Sequence, residues 1–403
     1  MLKLALRNVF RHKLRSAMTL AAIVFGVVGL VLAGGFVEDI YYQLGETLIH
    51  SQSGHLQISR AGFHAQGTRS PEKYQIEQPA PLRKLLSDQP QVAAVMARIN
   101  FSGLVNNGRS DWPIVGEGVE PDQEAELGTH IVIKAGRALA GRDRFAAIVG
   151  EGVAAAMNLK PGERVTLLLN TAEGALNSLE FDVVGVFQTF SKDYDARAVR
   201  IPLAAAQELL SSSGVNSLVV SLKRTADTQQ VEDAINRSID RSAYEVLGWQ
   251  QLNDFYTRAV ALYQRQFGVL QFVILVLVLL SVANSVNMSV FERVGEFGTM
   301  MALGNRGSAV FRLVLAENAL LGLAGAIIGG ALGLVLALAI SAIGIPMPPP
   351  PGASLGYTAQ IRAGPETLLM ASALGFFATA LASVFPARRV SRIPVVTALL
   401  QSS

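Results

Sequence analysis

The sequence predicts an α-helical membrane protein: four transmembrane helices with a large extracytoplasmic α+β domain carried on helical stalks. Three observations carry that expectation. Half of the 403 residues are hydrophobic and only 16% are charged, a balance too apolar for an ordinary soluble chain. Four stretches, 16–37, 267–290, 309–343 and 367–385, reach the roughly 20 apolar residues a helix needs to cross a bilayer core. The interval between the first two, 38–266, is long enough to hold a domain with its own core.

Charge sets the orientation. Lys3, Arg7, Arg11, Lys13 and Arg15 precede the first span, Arg293, Arg306 and Arg312 follow the second, and Arg388, Arg389 and Arg392 follow the fourth. Only Glu292, Glu296 and Glu317 oppose them, whereas 38–266 holds 22 basic and 27 acidic residues. The positive-inside rule therefore places both termini and 291–308 in the cytoplasm and the large interval outside. The first stretch, with its basic flank and the small residues Ala33 to Gly35, also has features of a cleaved signal. Its apolar run is nearer to a span than to the ~7–15 residues of a signal core.

Residues 1–15 form an amphipathic helix in this reading. Lys3, Arg7, Arg11 and Arg15 recur every four residues, with Ala5, Leu6, Val9, Phe10 and Leu14 mostly on the other side, as expected of a helix lying on anionic lipid. After the span 16–37, "VEDIYYQLGETLIHS" continues without a breaker, and "QLNDFYTRAVALYQRQ" enters the span 267–290 in the same way, so two helical stalks lead to and from the external domain. Within 38–266 the runs "HLQIS", "RVTLLLN", "EFDVVGVFQT" and "NSLVVSLK" read as strands, while "PLRKLLSD", "IPLAAAQELLSS" and "TQQVEDAINRSI" have helical spacing.

Residues 291–308 make a short loop helix: Glu292, Arg293 and Glu296 leave the span, Phe297, Met300, Met301 and Leu303 offer an apolar face, and Gly304 suits a left-handed cap. Such a helix can dock its apolar face in a groove of another protein. In 309–343, Gly322, Gly325, Gly329 and Gly333 form a small-residue face that lets helix backbones approach closely. The 344–366 connection is short and external, and its prolines favour an extended polyproline form. After the last span, 367–385, the tail 386–403 returns to the cytoplasm.

Several chemistries are excluded. With no cysteine there is no disulfide, thiolate site or lipid-modified cysteine. No G-x-x-x-x-G-K-[ST] loop is present, so the chain has no ATP site of that kind and is not expected to be an enzyme. The histidines His12, His50, His55, His64 and His130 form no H-E-x-x-H pair, and there is no G-x-S-x-G elbow. His50 and His55 are expected as solvated loop residues. "GEGVEPDQEAELG", Gly116 to Gly128, lacks calcium-loop spacing and is expected as a solvated acidic loop. Nothing suggests a metal, a cofactor or nucleic-acid binding.

"FERVGEFGTMMALGNRGSAVFRLVLAENALLGLAGAIIGGALG" resembles the signature of MacB/FtsX-type (type VII) ABC transporter permeases, in which E-R-x-x-E-[IF]-G-x-x-x-A-L-G precedes a glutamate and a glycine-rich span. "LALRNVFRHKLRSAMTLAAIVFGV", "IVGEGVAAAMNLKPGERVTLL", "FDVVGVFQT" and "FPARRVSRIPVVTALL" are similar to the family's opening, external core and closing segment. Phe297 stands where isoleucine is commoner. The resemblance implies a permease subunit of a bacterial inner membrane that dimerises with a second copy or a paralogue. Two copies of a separate ATPase, which bind the ATP and Mg, would drive it, and the loop helix Glu292 to Leu303 would sit in the ATPase groove. It further implies an external domain with a βαβ-type porter part built from both ends of the interval and a second part inserted between them, which transmits force outside the membrane. The proline loop and the separate four-span layout look most like the lipoprotein-releasing LolC/LolE group, with a periplasmic lipoprotein carrier as partner. The alternatives are a toxin or drug exporter with a periplasmic adaptor, and an FtsX-like regulator of an external cell-wall hydrolase.

Overall fold

The computed structural model describes residues 2–11, 13–67, 70–127, 130–171, 174–349 and 356–400. The chain opens with α1 (Leu2–Arg11), α2 (Lys13–Leu48), β1 (Leu56–Arg60), α3 (Phe63–Gln66), α4 (Pro79–Ser87), β2 (Val92–Asn106), β3 (Asp111–Val119), α5 (Pro121–Leu127), β4 (Val132–Gly136) and β5 (Ala146–Gly150). It continues with α6 (Glu151–Met157), β6 (Arg164–Asn170), β7 (Leu176–Gln188), α7 (Lys192–Asp195), β8 (Ala198–Pro202), α8 (Leu203–Leu210), β9 (Ser217–Leu222), α9 (Thr228–Ser238), β10 (Tyr244–Gly248) and α10 (Trp249–Leu252). It closes with α11 (Asp254–Glu292), α12 (Val294–Ala302), α13 (Gly307–Ile343), β11 (Ile345–Met347), β12 (Tyr357–Ala359), α14 (Pro365–Val390) and α15 (Val395–Leu400).

Two compact units result: one of residues 1–41, 260–346 and 358–403, the other of 42–259 and 347–357. The first is helical. Four helices, Ser16–Ser53, Tyr256–Glu292, Gly307–Ile343 and Pro365–Val390, are long and apolar enough to cross a membrane. Each contains one of the expected spans. The first two run well past it because no glycine pair or proline interrupts α2 after Val37 or α11 before Phe267. The core of this unit lies between the helices, around Ile23, Val27, Val31, Val282, Val286, Val310 and Ala378. Of the proline loop, 350–355 fall outside the described residues.

The second unit is a mixed α/β structure in which the four runs read as strands are β1, β6, β7 and β9, while β2, β3, β4, β5, β8 and β10 were not expected. β10, β1, β9 and the first half of β2 lie side by side in that order, all antiparallel. With α4 between β1 and β2 and α9 between β9 and β10, this is the split βαβ pattern drawn from both ends of the interval. Its core holds Leu56, Ile58, Leu86, Val95, Leu218, Val220, Val231 and Ile235. The second half of β2 leaves for a different partner set: it pairs with β3 and β6, and β3, β8, β5, β7 and β6 complete a closed ring of strands. Closure removes the free strand edges of the ring. Phe101, Val149, Val165, Phe181, Val199 and Leu209 belong to its core.

Two expectations for this unit are corrected. The segment Gly116 to Gly128, described as far as Leu127, is not a solvated loop. It is the end of β3 followed by α5, and its Glu117 and Glu124 are buried at 6% and 8% exposure because each meets a buried arginine. Arg200 Nε donates to Glu117 Oε2 at 2.9 Å, and Arg98 binds Glu124 through Nε at 2.5 Å and Nη2 at 2.9 Å. Burial alone would raise the Glu117 carboxyl, but the Arg200 and Arg98 guanidiniums hold it below the ordinary range. His50 and His55 are not loop residues in water either. His50 sits in the π-helical turn Ile49–Ser53 that ends α2, and His55 is 1% exposed. His55 is held by a hydrogen bond from the Leu222 amide to Nδ1 and by contact of Nε2 with the Thr225 hydroxyl at 3.2 Å.

Candidate functional site

Between the second and third spans the helix breaks for one residue. α11 ends at Glu292, so the loop helix proper is α12, Val294–Ala302, two residues shorter at its start and one at its end than Glu292 to Leu303. Arg293 between them has φ −106° and ψ 11°, outside the helical well. At the other end Gly304 takes φ +94°, and the amides of Gly304 and Asn305 bond to the carbonyls of Met301 and Met300 at 3.0 and 3.1 Å. This is the paired 5→2 and 6→1 closure of a helix by a left-handed glycine.

The residues expected on one docking face divide between two sides. Arg293 is 6% exposed and Phe297 1%, both turned into the unit, with the guanidinium 5.0 Å from the Phe297 ring centroid. Met300 and Met301 are half-buried against the helical core. Glu292, Glu296 and Gly304 are exposed, and Leu303 is 81% exposed. The outward face is therefore Glu292, Glu296 and Leu303. Arg293 and Phe297 anchor α12 from inside, since a 3.6-residue period cannot put Phe297 and Leu303 on one side.

What holds Arg293 is a carboxylate that sequence reasoning left without a role. Glu317, in the first half of α13 and 7% exposed, accepts from Arg293 Nη1 at 2.7 Å and Nη2 at 3.3 Å, and from Asn8 Nδ2 of α1 at 2.6 Å. Arg293 Nε donates to Glu296 Oε2 at 3.1 Å, and Glu296 meets the exposed Arg11 at 3.7 Å. One chain of charges thus ties α1, the α11–α12 break and α13 together. Beside it lies a cavity of about 30 Å³, lined by Asn8, Ser16, Ser285, Ser289, Glu317 and Asn318 among others, a volume on the scale of one or two waters. The signal available in the sequence was Glu317 itself: an ionisable residue within an apolar helix demands a partner.

The glycine face of α13 packs within the chain. A Cβ on Gly325 would stand 2.6 Å from Ile23, on Gly329 2.8 Å from Val27, and on Gly333 3.0 Å from Val31, while Gly322 faces Thr379 of α14. The four-residue spacing on α13 meets the same spacing on α2, backbone close to side chain. Near the opposite end of these helices, fully buried Asp39 accepts from Arg362 Nε at 2.9 Å and from the Gln360 amide at 2.8 Å. Of the expected surface stripe, Arg7 and Arg11 are exposed, as are Leu6, Phe10 and Leu14. Lys3 and Arg15 lie in α1 and α2, but their side chains fall outside the described residues.

Comparison with known proteins agrees with this layout. The MacB-like periplasmic core domain matches residues 16–238, and the FtsX-like permease C-terminal region matches 268–395. An uncharacterized ABC transporter permease of Methanocaldococcus jannaschii is 24% identical over 219 residues, covering 52% of this chain and 53% of that one. The macrolide export ATP-binding/permease protein MacB of Campylobacter jejuni is 24% identical over 357 residues, 86% of this chain and 54% of its own length. The lipoprotein-releasing system transmembrane protein LolC of Neisseria meningitidis serogroup B is 21% identical over 406 residues, 94% of this chain and 92% of its own. The chain spans about half the length of the first two and nearly all of the third. It belongs to the MacB/FtsX-like family of ABC transporter permeases.

Proposed function

We propose that this chain is the membrane subunit of an ABC transporter of the bacterial inner membrane, both termini cytoplasmic, working as a dimer with a second copy or a paralogue. A separate ATPase binds ATP and Mg²⁺ and receives α12. Its closure moves the permease helices, and the movement is used outside the membrane to release lipoprotein or other hydrophobic cargo. The observation that carries the reading is α12: anchored inward by Arg293 and Phe297, it presents Glu292, Glu296 and an almost fully exposed Leu303, a small apolar contact with acidic flanks suited to a groove on a partner. The similarity to LolC over nearly the whole of both chains supports the lipoprotein assignment. Similarity to MacB, a protein named for macrolide export, supports export of a smaller hydrophobic molecule as the second reading. Reconstitution with the ATPase in proteoliposomes tests both. ATP-dependent release of a lipoprotein to a soluble acceptor is the expected outcome. Efflux of a small molecule without lipoprotein release favours the second reading, and neither activity removes transport from the assignment.

A further inference from the structure

The end of α2 in the 42–259 unit is built as a weak point and then braced. Its last turn widens to the π-helix Ile49–Ser53, and Gly54 follows with φ +65°. Both features loosen a helix: the π turn distorts the bonding ladder, and glycine adds backbone freedom. The carbonyls at a helix end also lack helical partners and carry its negative partial charge. Here nearly every one is met. Ile49 accepts from the Gly54 amide at 3.0 Å, Leu48 from the Ser53 hydroxyl at 3.2 Å, and Ser53 from Gln57 Nε2 at 2.9 Å. Two more are taken by the buried arginines: Arg98 Nη1 donates to Gln52 O, and Arg200 Nη2 donates to Ser51 O at 3.4 Å.

Those arginines occupy particular places in the sheet. Arg98 is the residue of β2 that faces Ser217 of β9 on one side and Val119 of β3 on the other, where β2 passes from the split βαβ sheet into the closed ring. Arg200 of β8 lies in the ring in register with Glu117 of β3, and its guanidinium stands 5.6 Å from the Phe187 ring and 5.9 Å from the Tyr194 ring. Each guanidinium is fixed by a buried carboxylate, so neither can swing away with the helix end.

We propose that Arg98 and Arg200 are positioning residues that make the end of α2 one rigid body with both parts of the sheet, so that displacement of α2 is delivered to the sheet instead of being absorbed at the π turn. The consequence for transport rests on the transmission reading above; the rigidity of the joint does not.

The test uses the full chain with its ATPase. Because the chain has no cysteine, Tyr42→Cys and Glu180→Cys, labelled with nitroxide before the ATPase is added, supply the only two label sites in this chain, one on α2 and one on β7. Two paired variants remove each arginine with its carboxylate, Arg98→Met with Glu124→Met and Arg200→Met with Glu117→Met, leaving no stranded charge. Arg98→Lys, which keeps the charge and loses the fork, serves if a paired variant fails to fold. The expected results are a broadened label distance, exchange of the Gly54 amide faster by roughly tenfold, and unchanged exchange in β5 and β7. ATP hydrolysis should persist while cargo released per ATP falls about fivefold or more, as expected when a packed two-state element is loosened. An unchanged distance distribution and Gly54 exchange in the variants would overturn the proposal, as would a loosened joint with normal release. A wild-type complex that shows no nucleotide-dependent movement defeats the transmission reading, and the distance and exchange results still decide the joint.

Discussion

Arg293, in the break between α11 and α12, and Glu317 of α13, 24 positions apart in sequence, face each other through two hydrogen bonds of 2.7 and 3.3 Å with both side chains 10% exposed or less. Such a pair is not in itself a large net source of stability, because both ions lose water. Breaking it from one side is costly. Glu317→Gln leaves the buried guanidinium only the half-exposed Glu296 as counter-charge and is expected to destabilise the chain by up to about 3 kcal/mol, whereas Arg293→Met with Glu317→Met should be close to neutral. Thermal unfolding in detergent distinguishes the two. A single variant that melts like the wild type would remove the pair from the structural account of α12.

Leu303 gives the cleanest test of docking. At 81% exposure its truncation costs the chain little, but burying it in a partner groove is worth about 1.5–3 kcal/mol. Leu303→Ala should therefore weaken ATPase binding by about tenfold or more at unchanged thermal stability. Phe297→Ala behaves oppositely, since a fully buried aromatic costs about 3–5 kcal/mol to delete. Equal co-purification of the ATPase with wild type and Leu303→Ala would rule out Leu303 as an anchor.

The spans, the stalk helices and the strands β1, β6, β7 and β9 were legible because each depends on a local pattern: apolar length, an uninterrupted run, or alternation; β2, β3, β4, β5, β8 and β10 were not read. The loop helix was legible through Gly304 and its apolar residues, but not its inward side. Whether Phe297 faces in or out depends on where α15 and α13 lie, which is tertiary information. The same limit hid Glu117 and Glu124. A glutamate-rich stretch is solvated unless arginines reach it, and Arg98 and Arg200 arrive from strands 26 and 83 residues away. Glu317 was the one long-range feature with a local signal, a charge inside an apolar helix.

Packing of α13 on α2 predicts a graded response to added methyl groups. Gly329→Ala would place its Cβ 2.8 Å from Val27, and the backbone oxygen of Val24 closes the other side at 3.2 Å, so the helices must separate. Overpacking of this kind costs about 1–3 kcal/mol. Gly268 of α11 has nothing within 4 Å, and Gly268→Ala should be neutral or stabilising by up to about 1 kcal/mol through helix propensity. Melting temperatures of the two variants in the same detergent make the comparison. Equal shifts would contradict the close approach at Gly329.

His55 predicts how the external unit responds to acid. It is buried with its Nδ1 accepting from the Leu222 amide, and the rings of His50 and the carboxylate of Glu46 lie in the same cluster. Burial, reinforced by the charge His50 carries when protonated, pushes its pKa down from 6.5 to about 4, against a smaller opposing pull from Glu46. The sign follows from proton counting. Between pH 6.5 and 4 the unfolded chain binds a proton that the folded chain refuses, so stability is fully present above 6.5 and falls as pH drops through this window. The loss is about 2 kcal/mol by pH 5 and about 3 kcal/mol by pH 4 at one pKa unit per 1.36 kcal/mol. His64 and His130 are also shifted down by burial and add slope of the same sign, so the measurement is a difference: wild type against His55→Gln, which keeps an acceptor for Leu222 and a donor for Thr225. The variant should lose less stability between pH 7 and 5 than the wild type by about 2 kcal/mol. Parallel pH profiles for the two proteins would show that His55 is not the group that titrates.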